Sequence, residues 1–339
     1  MKDLPPAYFA LTMATGIISI DAWNFQHRWL AMGLFAFNLV AYAVLAVLTA
    51  ARALRYPALF FADMIDHRVA PGFFTAVAGS SVVGAQFFLF MRATGVAMVF
   101  LGLGGVLWVG MTYTIFTAFT VKREKPSLET GINGGWLIAV VATQSIAVLT
   151  SLISRDVPQP FRVELNFVAL SMWLWGGMFY SWIISLIFYR YTFFPFSPGD
   201  LAPPYWINMG AMAISTLAGA QLVQNTMDAP FLLSLLPFLR GFTVFYWATA
   251  TWWIPMLVVL GAWRHVFRKF PFRYDPLYWG AVFPLGMYSA ATAQMAEALG
   301  LPFLAPISRA MFVLAVLAWA IVFAALLSRL LGDFRARRA

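Results

Sequence analysis

The 339-residue sequence contains no cysteine and only three histidines, His27, His67 and His265. Without cysteine there is no disulfide, thiolate metal site, thiol nucleophile or thioether-linked haem. The histidines fall far apart in segments that read as loops, so no His-based metal or haem site is expected and no cofactor is implied. Charge is equally scarce. Only 10% of residues are Asp, Glu, Lys or Arg, against about 25% in soluble domains, so a soluble globule of this size would have too few charges to cover itself. At 62% hydrophobic the chain is also not disordered. The class that remains is an all-α polytopic membrane protein, expected as one transmembrane domain over residues 1–339 with no room for a sizeable soluble domain.

A bilayer-spanning helix takes roughly 20 apolar residues. Apolar runs between charged or Pro/Gly breaks predict ten helices, near 5–23, 29–50, 71–90, 94–121, 131–154, 166–188, 203–225, 238–266, 277–298 and 303–331. The first run lacks a convincing cleavage site and reads as a retained helix, not a signal peptide. With ten helices both termini share one side, which carries 16 of the 22 Lys and Arg. The positive-inside rule then assigns both termini to the cytoplasm of an inner (cytoplasmic) or plasma membrane. The net charge of +9 thereby has a topological meaning, and no nucleic-acid partner is expected. The segment 52–68 is too polar to span and is predicted to lie along the interface. Its Asp63 and Asp66 form a DxxD, the one hint of a membrane enzyme, but no second carboxylate cluster accompanies it and none is expected to make this chain catalytic.

A weak repeat runs through the chain. Helix starts at PPAYF (5–9), APGFF (70–74), INGGW (132–136), PPYW (203–206) and DPLYW (275–279) place Tyr8, Phe73, Trp136, Trp206 and Trp279 about every 63–73 positions, one helical hairpin per repeat. The odd-numbered helices hold eight Asn or Gln and the even ones two, while aromatics run 15 to 28 the other way. Amides inside a bilayer need partners or water, whereas aromatics are comfortable against lipid. The expected architecture is five hairpins around a central pore, odd helices inside and even helices outside.

No ionisable side chain falls near the middle of any predicted helix; Asp21, Glu297, Arg240 and Arg309 lie near ends, as expected mouth residues. Candidate lining residues are Thr12, Thr15, Ser19, Ser80, Ser81, Asn133, Asn208, Ser215, Thr216 and Ser289, with Trp136 and Gly210 beside them. Hydroxyl and amide donors without fixed charge suit a weakly bound, mobile anion, although the same residues also serve helix packing. In the ninth helix, WGAVFPLGMY (279–288), Pro284 removes the bond to Gly280 and Gly286 gives room to bend. Phe283 would project from that bend, either as a hydrophobic plug or as ordinary packing.

ATGIISI (14–20), NGGWLIAVVATQ (133–144), YWINMGAMAISTLAGAQ (205–221) and FPLGMYSAAT (283–292) together resemble the tellurite-resistance/dicarboxylate transporter family. That family includes bacterial tellurite-resistance proteins, fungal malate permeases, sulfite exporters and the slow anion channels of plant guard cells. The malate-permease and C4-dicarboxylate branch looks most similar. The resemblance implies ten helices around a pore in each subunit of a homotrimer. It also implies a gate at the phenylalanine before the ninth-helix proline, here Phe283, and a first-helix glycine near the axis, here Gly16. Expected partners are the lipid bilayer and small anions: malate or another dicarboxylate, chloride, nitrate or sulfite. A proton-coupled carrier, or tellurite or sulfite efflux, is the alternative within transport, with Asp21 and Glu297 as its proton sites.

Overall fold

The computed structural model describes residues 2–271 and 274–336, with side chains to residue 332. Arg273, Arg337 and Arg338 of the charge tally lie outside the described residues. The fold is all helical, with no strand among the described residues. Ten long helices follow in order: α1 (Ala10–Asn24), α2 (Arg28–Arg55), α3 (Phe74–Met91), α4 (Thr94–Val121), α5 (Ile138–Ile153), α6 (Phe161–Phe193), α7 (Ile207–Gln224), α8 (Leu236–Ala262), α9 (Trp279–Leu299) and α10 (Ala305–Ala336). Eight of them, taken with their short leading turns, are long and apolar enough to cross a membrane. The other two are α1 and α9. Thr12, Thr15, Ser19 and Asp21 in a helix of 15 residues, and Gly280, Gly286, Ser289, Thr292 and Glu297 in one of 21, lower their apolar content.

The repeat in the sequence has a physical form. Each odd helix is led by a 3-10 turn: Pro6–Phe9, Ala70–Phe73, Gly134–Leu137, Pro203–Trp206 and Pro276–Tyr278. Four of these have Pro in the first two positions, where a fixed φ is already helical and the missing N–H costs nothing. The fifth uses Asn133, whose side chain accepts a hydrogen bond from Gly135 N at 2.8 Å. The turns touch one another in a closed collar. Gly72 lies against Ala7 and Gly134 against the backbone of Pro204 and Tyr205, close approaches that a side chain would block.

Beyond the collar, α1, α3, α5, α7 and α9 pack in a second closed ring, each against the next, and each outer helix α2, α4, α6, α8 and α10 packs on the inner helix preceding it. Burial separates the sets: 94% of the apolar window is buried in α5 and α7 and 78% in α3, against 17% in α4 and 22% in α8 and α10. The outer surface is apolar, with Val99 and Val106 more than two-thirds exposed. An apolar surface of that extent is at home in lipid.

Inner-helix amides bond to outer helices, both within and between hairpins. Asn38 Nδ2 donates to Gln86 Oε1 at 2.8 Å, joining α2 to α3, and Gln144 Nε2 donates to the Trp173 carbonyl at 3.0 Å, joining α5 to α6. Where no water competes, such bonds hold helices that the hydrophobic effect does not. The segment 52–68 forms a short helix, Pro57–Met64, fastened by an Arg52–Asp63 ion pair at 2.6 Å. Asp66 Oδ1 accepts from Arg68 N at 2.7 Å, so both carboxylates of the DxxD have partners within the chain.

Candidate functional site

Two cavities lie within the inner ring. The narrower, about 20 Å³, sits inside the collar and is lined by Ala10 and Met13 of α1, Thr75 of α3, Val141 of α5, Ile207 of α7 and Phe283 of α9, with Ala7, Pro204 and Leu277 of the collar turns beside them. The wider, about 100 Å³, lies toward the far ends and includes Ile17, Ser81, Ser145, Ile214 and Met287, so every inner helix contributes to both. On three inner helices the change from one to the other takes a single helical turn, from Met13 to Ile17, Val141 to Ser145 and Phe283 to Met287, and on α3 and α7 it takes about two, from Thr75 to Ser81 and Ile207 to Ile214. Phe283 stands at that boundary and is 1% exposed. Behind it Pro284 rests on Gly210, where a Cβ would come within 2.7 Å of Pro284 Cγ.

Asn24, Gln221 and Gln294 line the outer part of the wider cavity, together with the guanidinium-bearing Arg155. Arg155 follows the end of α5, and two amides at the end of α7 hold it: its Nε donates to Asn225 Oδ1 and its Nη2 to Gln224 Oε1, both at 2.9 Å. Asn225 Nδ2 in turn donates to Asn166 Oδ1 at 2.9 Å, fixing the whole group to α6. Burial pulls the Arg155 pKa down from its ordinary value, while Glu297, Asp228 and Asp156 push it up. A guanidinium starts from so high a pKa that it remains charged. The cavity therefore combines side-chain amides with one permanent cation, whose charge Glu297, Asp228 and Asp156 partly offset.

The structure brings two of the predicted lining residues, Ser81 and Phe283, to a cavity. The other hydroxyls and amides bond within or between helices. Thr12 Oγ1 donates to Phe9 O at 2.8 Å, Thr15 Oγ1 accepts from Trp319 Nε1 of α10 at 3.0 Å, and Ser80 Oγ bonds Tyr42 of α2 at 2.7 Å. Ser215 Oγ donates to Ala211 O at 2.8 Å and Asn208 Nδ2 to the Tyr191 hydroxyl at 3.3 Å. Ser19 and Ser289 bond the Ala31 and Ser308 carbonyls, at 2.7 and 3.0 Å. Asn133 caps its turn, and Trp136 Nε1 donates to His67 O at 2.9 Å. Gly16 faces Val82 and Asn38, and Gly286 faces Ile17 and Ile18, so both let neighbouring helices approach. Of the predicted mouth residues, Arg240, Arg309 and Glu297 are exposed, whereas Asp21 is 1% exposed with Oδ2 unpartnered. Arg155 entered the sequence reading only as a topological charge. Its partners lie 69 and 70 positions away, and no local signal marks it.

A closed ring of helices in an apolar jacket, enclosing an axial cavity with a cation at one end, defines a membrane protein built to pass small anions. The chain belongs to the voltage-dependent anion channel family, SLAC1, whose family profile matches residues 3–327. It is similar to an uncharacterized transporter of Methanocaldococcus jannaschii, 27% identical over 305 residues, covering 86% of this chain and 83% of that protein. An uncharacterized membrane protein of Mycobacterium tuberculosis is 40% identical over 146 residues, covering 43% of this chain and 74% of the relative. A sulfite efflux pump of Trichophyton rubrum is 23% identical over 347 residues, covering 96% and 90%.

Proposed function

We propose that this chain passes small anions along the axis of the inner ring, with all ten long helices crossing the membrane, both termini cytoplasmic, and Phe283 closing the path. Arg155 at the wider cavity is the observation that carries the reading. Its charge raises the local anion concentration, the amides of Asn24, Gln221 and Gln294 replace part of the hydration shell, and the apolar boundary at Phe283 blocks passage by size and dewetting. The homotrimer that the family resemblance implies belongs to the same proposal.

A single cation in a cavity of about 100 Å³ favours an anion with one charged pole. Sulfite, chloride and nitrate therefore rank above malate, whose carboxylates sit at both ends, and the similarity to a sulfite efflux pump supports that order. Proton coupling is disfavoured because neither Asp21 nor Glu297 lines either axial cavity.

The test is flux in proteoliposomes of the purified protein, measured for sulfite, chloride, nitrate, tellurite and malate with and without an imposed pH gradient. Saturable anion flux that ignores the pH gradient is expected. Absence of flux for every anion overturns the reading, and flux that follows the gradient replaces it with a coupled carrier.

A further inference from the structure

Three arginines are almost fully buried: Arg52, Arg190 and Arg264, at 5, 6 and 9% exposure. A charge taken out of water needs an opposite charge or a full set of hydrogen bonds. Arg52 has Asp63 at 2.6 Å and Arg190 has Asp200 at 3.2 Å. Arg264 has no carboxylate partner among the described residues. It donates through Nη1 to the Leu201 carbonyl and lies 4.3 Å over the Phe270 ring, while its Nε has no partner. The backbone there is unusual too, because α8 ends in a π-helical turn, Trp263–Phe267. Such turns are frequent at functional sites.

Arg264 borders a cavity of about 220 Å³ on the outside of the inner ring, where the end of α8 meets the collar turns that lead α7 and α9. Along α8 the lining runs from an apolar wall at Leu257 and Gly261 to a polar end at Arg264 and His265, with Trp206, Tyr278 and Ala281 also lining the cavity. Val258 and Val259, on the same stretch of α8, are more than half exposed, so the apolar wall adjoins the lipid-facing surface. A cation at the inner end of a pocket whose other end meets acyl chains matches a lipid with an anionic head group. We propose that this cavity binds one anionic phospholipid, its phosphate on Arg264 and the first carbons of its chains against Leu257 and Gly261. The same cavity touches Tyr278 and Ala281 at the start of α9, the helix that carries Phe283.

Native mass spectrometry and thermal unfolding of the detergent-purified full chain test the site without measuring flux, so its failure is distinguishable from failure of the conduction reading. Phosphatidylglycerol is titrated against phosphatidylcholine. Wild type is expected to retain one phosphatidylglycerol more than Arg264→Gln, and to gain several degrees of unfolding temperature from it that the variant does not. Gly261→Leu keeps the cation and fills the cavity; a Cβ there meets nothing within 4 Å, so this variant separates loss of the site from loss of the fold. It is expected to lose the same lipid. Arg268→Gln, a charge change outside the cavity, is expected to retain it. Equal retention by wild type, Arg264→Gln and Gly261→Leu overturns the proposal, as does retention lost equally in Arg268→Gln. Full protection by inorganic phosphate alone, with nothing added by phosphatidylglycerol, also overturns it and assigns the cavity to a free anion.

Discussion

Gly210 of α7 and Pro284 of α9 face each other where these two neighbouring inner helices pack, with no space for a side chain on Gly210. The glycine gives the proline ring its seat, and the proline sits next to Phe283. Gly210→Ala forces the two helices apart or Pro284 out of place. Overpacking of this kind costs about 1–3 kcal/mol, so the variant is expected to unfold at lower temperature than wild type in the same detergent. A displaced α9 is also expected to alter basal anion flux, which the same preparation in proteoliposomes measures.

On the proposed path Phe283 separates the two cavities, and removing its ring is expected to join them. Phe283→Ala is expected to raise anion flux about tenfold, equivalent to about 1.4 kcal/mol off the barrier. Phe283→Leu, which keeps apolar bulk, is expected to stay near wild type. Monodisperse elution of both variants guards against misfolding, and unchanged flux in a well-folded Phe283→Ala rejects the gate.

Arg155→Gln keeps a donor near the position of Nε, toward Asn225, loses the Nη2 bond to Gln224 and removes the charge. Anion flux is expected to fall several-fold to about tenfold, and more at low than at high ionic strength because salt screens the lost attraction. Arg155→Lys keeps the charge and is expected to recover part of the loss. Flux indifferent to both changes removes Arg155 from the path.

Asp200 supplies a pH test outside the helices. Burial pushes its pKa up, but hydrogen bonds from Ser197 Oγ at 2.6 Å and Ser197 N at 2.8 Å, together with Arg190, hold it below the ordinary value. A carboxylate depressed on folding contributes stability above its unfolded pKa of about 3.9, and loses it as pH falls through the folded value. Asp200→Asn is therefore expected to lower the unfolding temperature by a few degrees at neutral pH. The difference from wild type is expected to shrink below about pH 4. A difference independent of pH assigns the effect to the hydrogen bonds instead.

The alternation of inner and outer helices was legible in the sequence because composition differs between them, and the collar was legible because proline marks four of its five turns. The direction in which each inner-helix side chain points was not. In α1 every residue from Ala10 to Ala22 is buried, so no polar face exists from which to read rotation. Thr15 reaching Trp319 and Thr12 facing Gly79 follow only from the neighbours. Phe283, which lines the narrower cavity, carries a local mark in the proline that follows it. Arg155 needed the contact between the ends of α5 and α7, a relation across 70 positions. The count of ten spans rested on runs that include α1 and α9, and these are the two helices whose Gly, Ser and Thr lower their hydropathy.

Because all five inner helices start at the collar, they run the same way, and no half of the ring mirrors the other. Carriers that rock between two states depend on two opposed halves. Here the two ends differ in kind: one is a narrow, largely apolar cavity, the other a wider basin with amides and a guanidinium. An anion meets the cation first from one side and the apolar constriction first from the other. Under the proposed conduction path this asymmetry is expected to make current rectify, with equal and opposite voltages driving unequal flows.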